Sequence, residues 1–236
     1  MSVYVYAITE TAHPLALDGV TGVGERPAPL RVVHSGKVAA VVGDAPEHLR
    51  PKRRDLKAHQ EALQSLAADG AVLPMRFGLL APDEASIESE LETHQENYLE
   101  RLEKLRDRVE FNVKAVQDED DALREVLVAR PELQRLNERT RGGGSHDDRL
   151  ALGEAVAAGL QAYQLRLGEE MTGALRPLAT GEVASEVAGE AFVNVSFLVE
   201  RQRAGEFRES AAKLARDFGR GVDIRVTGPL PPYSFV

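Results

Sequence analysis

The chain carries six histidines, His13, His34, His48, His59, His94 and His146, and no cysteine. A zinc hydrolase of the HExxH type needs two histidines four residues apart on one helix face, and no pair here has that spacing. No serine sits at a strand-turn-helix elbow of the kind that exposes a nucleophile. Without cysteine there are no disulfides, thiolate metal sites or cysteine nucleophiles. The run Gly142-Gly143-Gly144-Ser145 lacks both the preceding strand and the Lys-Ser/Thr ending of a phosphate loop, so it reads as a flexible turn. His146-Asp147-Asp148 beside it offers at most a weak cation site. Glu119-Asp120-Asp121 falls at a helix start, where the macrodipole favours negative charge and no catalytic role is needed. Arg50-Pro51-Lys52-Arg53-Arg54 reads either as the solvated start of a helix or as a local phosphate site. No catalytic residue, metal set or cofactor site emerges, and the expected function is non-enzymatic.

A formal charge of -9 and a sequence pI near 5.3 argue against a dedicated nucleic-acid binder, which needs a net basic face. No apolar run approaches the roughly 18 residues of a membrane span, and the N-terminus lacks the basic and apolar regions of a signal peptide. The expected setting is a reducing cytoplasm. At 236 residues with 43% hydrophobic content, the chain is long enough for two small domains or one large one.

Val3 to Thr9 is apolar on both faces, which suits a central strand. Thr11 to Pro29 is a glycine- and proline-rich loop with room only for a short helical turn. Leu30 to His34 and Lys37 to Val42 form a hairpin across Ser35-Gly36. Lys52 to Asp69 sets Leu56, His59, Leu63 and Leu66 at helical spacing, with Gly70 in the C-cap position. Ala71 to Leu80 reads as a fourth strand with Leu73, Met75, Phe77 and Leu79 on one face and Pro74, Arg76 and Gly78 on the other. Arg76 then points away from the core, to a surface ion pair or to a partner. The order is that of a ferredoxin-like α+β domain with helices on one face of the sheet, assigned to residues 1–82.

Residues 83–109 read as a long connecting helix whose Ile87, Leu91, His94, Tyr98, Leu102, Leu105 and Val109 form a heptad-like stripe. That stripe needs a partner, either another helix of this chain, such as the one near 148–176, or a second molecule. Glu110 to Val116 opens the second α+β unit, residues 110–236. The segment Asp118 to Arg139 is helical but broken or kinked at Pro131, and Asp148 to Leu178 is a long amphipathic helix. A hairpin turns at Ala188-Gly189, and a helix through Phe207, Ala211, Leu214 and Phe218 ends at Gly219. The final strand is Val222 to Thr227. The result is a second ferredoxin-like unit with an enlarged helical crossover forming a long helix pair. One face of its sheet carries Phe111, Val113, Phe197 and Ile224. The other carries Glu110, Asn112, Lys114, Asn194, Ser196, Asp223 and Arg225, and is either a solvated face of cross-strand pairs or a docking surface.

Gly228-Pro229 should stop the last strand, and Pro231 and Pro232 hold Tyr233 and Phe235 on a stiff segment. So apolar a terminus should be docked, either covering its own domain or helping to form a partner-binding surface. The tail Gly228-Pro229-Leu230-Pro231-Pro232-Tyr233-Ser234-Phe235 resembles the closing signature of the gas vesicle protein family GvpL/GvpF. Val3-Tyr4-Val5-Tyr6-Ala7-Ile8 is similar to that family's first strand, Leu73-Pro74-Met75-Arg76-Phe77-Gly78 to its central LPxRFG segment, and Glu110-Phe111-Asn112-Val113-Lys114 to its mid-chain strand. The family often has Trp at the positions of Leu230 and Phe111, and both replacements here stay apolar.

The resemblance implies a cytoplasmic accessory protein of gas vesicle formation, without cofactor. It would bind the hydrophobic shell subunit, with other gas vesicle accessory proteins as further candidate partners, to assist nucleation or prevent aggregation. Arg76, Phe77, Arg225, Pro231, Pro232, Tyr233 and Phe235 are the partner-binding candidates. A different class of function, a small-ligand-sensing regulatory module, stays open on a fold of this kind.

Overall fold

Strand β1, Val3–Glu10, is buried along nearly its whole length, because its alternating side chains enter two separate cores. Val3, Val5 and Ile8 belong to one apolar cluster. Tyr4, Tyr6 and Ala7 belong to another. The computed structural model describes residues 2–47, 49–143, 145–187, 189–219 and 221–236; His48, Gly144 and Ala188, on which parts of the sequence reading fall, lie outside them.

The backbone divides into two compact units, Met1–Glu110 with Leu198–Gln202 and Gly228–Val236, and Phe111–Phe197 with Arg203–Thr227. In the first, β2 (Arg31–Ser35) and β3 (Val38–Asp44) form the expected hairpin. Gly36 turns it with a positive φ of 57°, a conformation that glycine adopts without steric penalty. Together with β4 (Val72–Pro74) and β5 (Leu80–Ala81) they make a sheet of order β2-β3-β1-β4, with β5 also on β1. All of these pairings are antiparallel. This is the strand order of a ferredoxin-like fold, as expected.

Three features of the first unit differ from the sequence reading. Helices cover both faces of the sheet rather than one. Helix α1, Arg53–Asp69, buries His59, Ala62, Leu63 and Leu66 against Tyr4 and Tyr6, while the opposite cluster takes Ile87, Leu91, Leu102 and Leu105. Those four lie on two helices, α2 (Glu84–Thr93) and α3 (Gln95–Leu105), where one connecting helix was expected. The break falls at His94, with φ -113° and ψ 16°. It lets α2 follow β2 and β3 while α3 follows β1, β3 and β4. Just before it, Thr93 Oγ1 donates to the Ser89 carbonyl at 2.7 Å, a back-bond that bends helices. The apolar stripe is therefore explained by the first unit's own sheet.

The fourth strand is also interrupted. Between the pairs Ala7↔Pro74 and Tyr4↔Leu80, β1 advances three residues and its partner six, so Arg76, Phe77 and Gly78 are extruded as a turn. Gly78 has φ 93°, and the Leu79 N–H donates to the Arg76 carbonyl at 3.3 Å. Alternation breaks there. Met75 packs on one cluster, Phe77 on the other, and Leu79 is exposed.

The second unit has the same strand order, β7-β8-β6-β9, built from β6 (Arg108–Gln117), β7 (Gly181–Ala184), β8 (Ala191–Glu200) and β9 (Val222–Leu230). The last strand runs past Thr227, through a cis Gly228-Pro229 bond, to Leu230. Phe111 stacks on Phe207 with centroids 4.8 Å apart, and Phe197 lies 5.5 Å from the same ring, so α7 (Ala204–Asp217) packs through that side chain. The crossover holds α4 (Glu119–Ala129), α5 (Pro131–Arg141) and α6 (His146–Leu175). Pro131 divides α4 from α5, as its missing N–H requires. The helical partners of α6 are α4, α5 and α7, and Val126, Leu133, Tyr163 and Leu167 form the core that α6 shares with α4 and α5.

Candidate functional site

The tail docks in the first unit, with Gly228–Val236 grouped there rather than with residues 110–236. Pro231 and Pro232 are buried. Tyr233–Phe235 is a single 3-10 turn, in which the Tyr233 N–H donates to the Pro231 carbonyl at 2.8 Å and the Phe235 N–H to that of Pro232 at 3.2 Å. This turn aims its two aromatic side chains into different cores. Tyr233 packs on the Tyr4 and Tyr6 cluster, and Phe235 on the Val3 and Leu73 cluster. Burial, reinforced by the nearby Glu110 carboxylate, pushes the Tyr233 hydroxyl up to about 12.

Glu110 anchors the turn between these rings. Its carboxylate accepts from the Ser234 N–H and from Ser234 Oγ, at 2.8 Å each. At 3% exposure it is not part of an open face, as the strand pattern suggested. Neither is Ser196, which is 1% exposed. Elsewhere on that face Asn112 Nδ2 donates to Asn194 Oδ1 at 3.0 Å and to Ser196 Oγ at 3.1 Å, the cross-strand pairing that a polar sheet face favours.

Around Tyr4 the first unit gathers an aromatic cluster that spacing alone did not reveal. Tyr4 and Tyr6 have centroids 4.7 Å apart. Phe77 meets Tyr4 edge-on at 6.0 Å and His59 at 5.6 Å, while Tyr6 stacks on His59 at 5.6 Å. Tyr6 Oη accepts from the Val23 N–H at 2.8 Å, pinning the long loop after β1. Burial pushes the Tyr6 hydroxyl up to about 12 and raises that of Tyr4 as well. Phe77 thus packs, half-buried, against the core, and the signal that could have shown it was Gly78, whose freedom at positive φ permits the turn.

Of the two arginines singled out, Arg76 sits exposed on the extruded turn, close in sequence to exposed Leu79 and Leu80. Arg225 belongs to the second unit. It pairs with Asp223, Nη2 to Oδ2 at 2.7 Å, and its side chain is 72% exposed. Phe77 and Tyr233 come together in one cluster; the two arginines belong to different units.

A cleft of about 690 Å³ in the first unit lies over the start of α1. Its walls mix Glu25, Asp44 and Asp55 with Arg26, Lys52 and Arg54, and Lys52 pairs with Glu25 at 3.0 Å. Asp55, almost fully buried, accepts from the Gly24 N–H at 3.0 Å and from Arg54 Nε at 3.2 Å. Burial opposes its charge, but those two bonds with the cations Arg54 and Lys52 hold its carboxyl below the usual range. Charges paired across a groove differ from the mostly apolar lining that small-molecule sites favour. Among the described residues no group of three or more His, Asp or Glu could hold a metal ion, and no helix is long and apolar enough to cross a membrane.

The stretches that carry the family resemblance meet in this arrangement. Tyr4 from the first strand, Phe77 from the central segment and Tyr233 from the tail share one cluster, and Glu110 from the mid-chain strand holds Ser234. Residues 2–236 match the family model described as Gas vesicle synthesis protein GvpL/GvpF. The chain belongs to the GvpL/GvpF family. Gas vesicle protein F of Streptomyces sp. (strain CB03234) is 46% identical over 238 residues, covering 100% of both chains. Gas vesicle protein L of the same strain is 28% identical, covering 98% of this chain and 91% of its own. The fold is that of the crystal structure of GvpF from Anabaena sp. PCC7120, with a TM-score of 0.85 at 21% identity over 99% of this chain and 97% of that one. GvpF from Microcystis aeruginosa gives 0.83, also at 21% identity. In this GvpL/GvpF chain Tyr4, Phe77, Tyr233 and Glu110 lie at the junction of tail, first strand and extruded turn.

Proposed function

We propose that this chain is a non-enzymatic accessory protein of gas vesicle assembly, acting in the cytoplasm and at the vesicle, that binds the hydrophobic shell subunit. The observation that carries the reading is the family match over residues 2–236, joined to 46% identity with a gas vesicle protein F over its full length. A very apolar subunit must be shielded from water before it assembles, because exposed apolar surface drives indiscriminate association. The contacts assigned to the partner are Arg76, on its turn near Leu79 and Leu80, and Arg225. Phe77, Pro231, Pro232, Tyr233 and Phe235 contribute by holding the tail and turn in place.

Co-expression with the shell subunit, followed by affinity capture of this chain, tests the reading. Recovery of the subunit in soluble form, reduced by Arg76→Ala or Arg225→Ala, is the expected outcome. A subunit that aggregates equally with and without this chain would overturn it.

A further inference from the structure

The extruded turn is tied to the protein interior by a closed hydrogen-bond circuit through two rings. His59 Nε2 lies 3.1 Å from the Met75 carbonyl oxygen. His59 Nδ1 lies 2.9 Å from Tyr4 Oη, and Tyr4 Oη accepts from the Gly78 N–H at 3.1 Å. The proton positions follow from what each partner can do. A carbonyl only accepts, so Nε2 carries the hydrogen; a neutral imidazole has one donor, so Nδ1 accepts and the Tyr4 hydroxyl donates to it. Both ends of the circuit land on the same turn, at residues 75 and 78, on either side of Arg76 and Phe77.

A second proton on His59 would fall on Nδ1 and face the hydrogen of Tyr4. That hydroxyl must then turn from donor to acceptor and its hydrogen needs a new partner, so the Tyr4 arm of the circuit is broken while Nε2–H stays on the Met75 carbonyl. The surroundings supply little to compensate a charge there. From β1 the groups facing His59 are the tyrosines Tyr4 and Tyr6, and from the turn Phe77, with Arg76 exposed to solvent. Tyr233 of the tail and Asp55 of α1 act on Tyr4. Burial outweighs the Met75 carbonyl and pulls the His59 imidazole below its ordinary range.

We propose that neutral His59 is a proton-sensitive latch, which holds the 75–78 turn through Met75 and, by way of Tyr4, through Gly78, and on protonation frees the Gly78 end while its Nε2–H stays on Met75. The latch would make the exposure of Arg76, Leu79 and Leu80 depend on pH, independently of what the turn binds.

Amide hydrogen exchange of the intact protein tests this at pH 7.5 and pH 5.0, with rates expressed as protection factors so that the intrinsic pH dependence of exchange cancels. Peptides covering residues 75–80 should lose at least tenfold in protection at the lower pH. In His59→Gln, whose amide can donate to Met75 and accept from Tyr4 but cannot charge, that loss should disappear. Equal pH dependence in both proteins, or none in the wild type, would overturn the proposal. Imidazole nitrogen shifts of the wild-type protein keep it testable should the variant fold poorly. An Nε2–H tautomer at pH 7.5, titrating together with the Gly78 amide, supports the latch. An Nδ1–H tautomer, or titration of His59 that leaves Gly78 unmoved, excludes it.

Discussion

Ser234 gives both its backbone N–H and its hydroxyl to the two carboxylate oxygens of Glu110, each at 2.8 Å, so one buried side chain fixes the C-terminal turn from both of its donors. The rings on either side of Ser234 then enter separate cores. Tail docking thus combines a charge-assisted clamp with apolar burial.

Removing the clamp should cost stability. Glu110→Ala deletes both acceptors and leaves the Ser234 donors to find others, and a loss of about 1 to 3 kcal/mol is expected from such a change. Ser234→Ala removes one bond only and should cost less, about 1 kcal/mol. Urea unfolding of both variants checks the ranking; a Glu110→Ala protein as stable as wild type would mean the clamp contributes nothing.

Deleting Pro231 to Val236 should lower the melting temperature and weaken capture of the shell subunit together. Tyr233 and Phe235 each bring about 1.5 to 3 kcal/mol if fully buried, and both are only partly buried here, so the lower end applies. Melting curves and pull-downs on the truncated chain measure the two effects. No change in either would show the tail to be energetically idle.

Arg76→Ala and Arg225→Ala should leave stability within about 0.5 kcal/mol, since exposed positions and exposed ion pairs contribute little. Capture of the shell subunit should nevertheless fall. Unchanged capture by both variants places the contact elsewhere.

Gly70 adopts φ 175°, an extended conformation open to any residue, so its value lies in space rather than in a left-handed cap. A Cβ there would stand 2.7 Å from His13 Cδ2 and 2.9 Å from its Nε2. That ring is tethered on both sides, with Nε2 3.1 Å from the Leu66 carbonyl and Nδ1 accepting from the Leu15 N–H at 3.0 Å. Gly70→Ala should therefore destabilise by about 1 to 2 kcal/mol through displacement of His13. In His13→Ala the same substitution should cost much less. A double-mutant cycle reads the coupling, and additive effects would rule this cause out.

Stability should fall as pH drops below about 6.5. Burial lowers His13 and His59 from the ordinary 6.5, so between the folded and unfolded values the unfolded chain binds more protons, and stability rises with pH across that interval. It is complete above 6.5 and lost as pH falls towards the folded values, by at most about 1.4 kcal/mol per pH unit for each histidine. Asp55 is held below its ordinary 3.8 and adds its loss only at lower pH. Urea unfolding from pH 7.5 to 5 isolates the histidines; a flat profile would contradict their burial as neutral rings.

Local chemistry made much of the fold legible in the sequence. An apolar run on both faces marked β1 as central, Ser35-Gly36 marked a hairpin, Pro131 marked a helix break, and His59 in line with Leu63 and Leu66 lay on the buried face of α1. The strand order followed from element order, because two ferredoxin-like halves leave few ways to connect their strands. The resemblance in four stretches also named the family.

Periodicity reports that a side chain is buried, never against what, and the remaining decisions were non-local. The stripe of α2 and α3 looked like a seam for another helix, whereas the first sheet fills it. Alternation carried Phe77 and Leu79 to one face because Gly78 signals a turn without fixing how many residues it takes; only pairing with β1 shows that three are extruded. Glu110 read as solvent-facing until Ser234, 124 positions away in sequence, supplied its partners. Sequence therefore determined the elements and their order, through steric and hydrophobic preferences that act within a few residues. Tertiary structure decided which surfaces meet, because burial is satisfied by whichever apolar surface and donors the whole chain brings near.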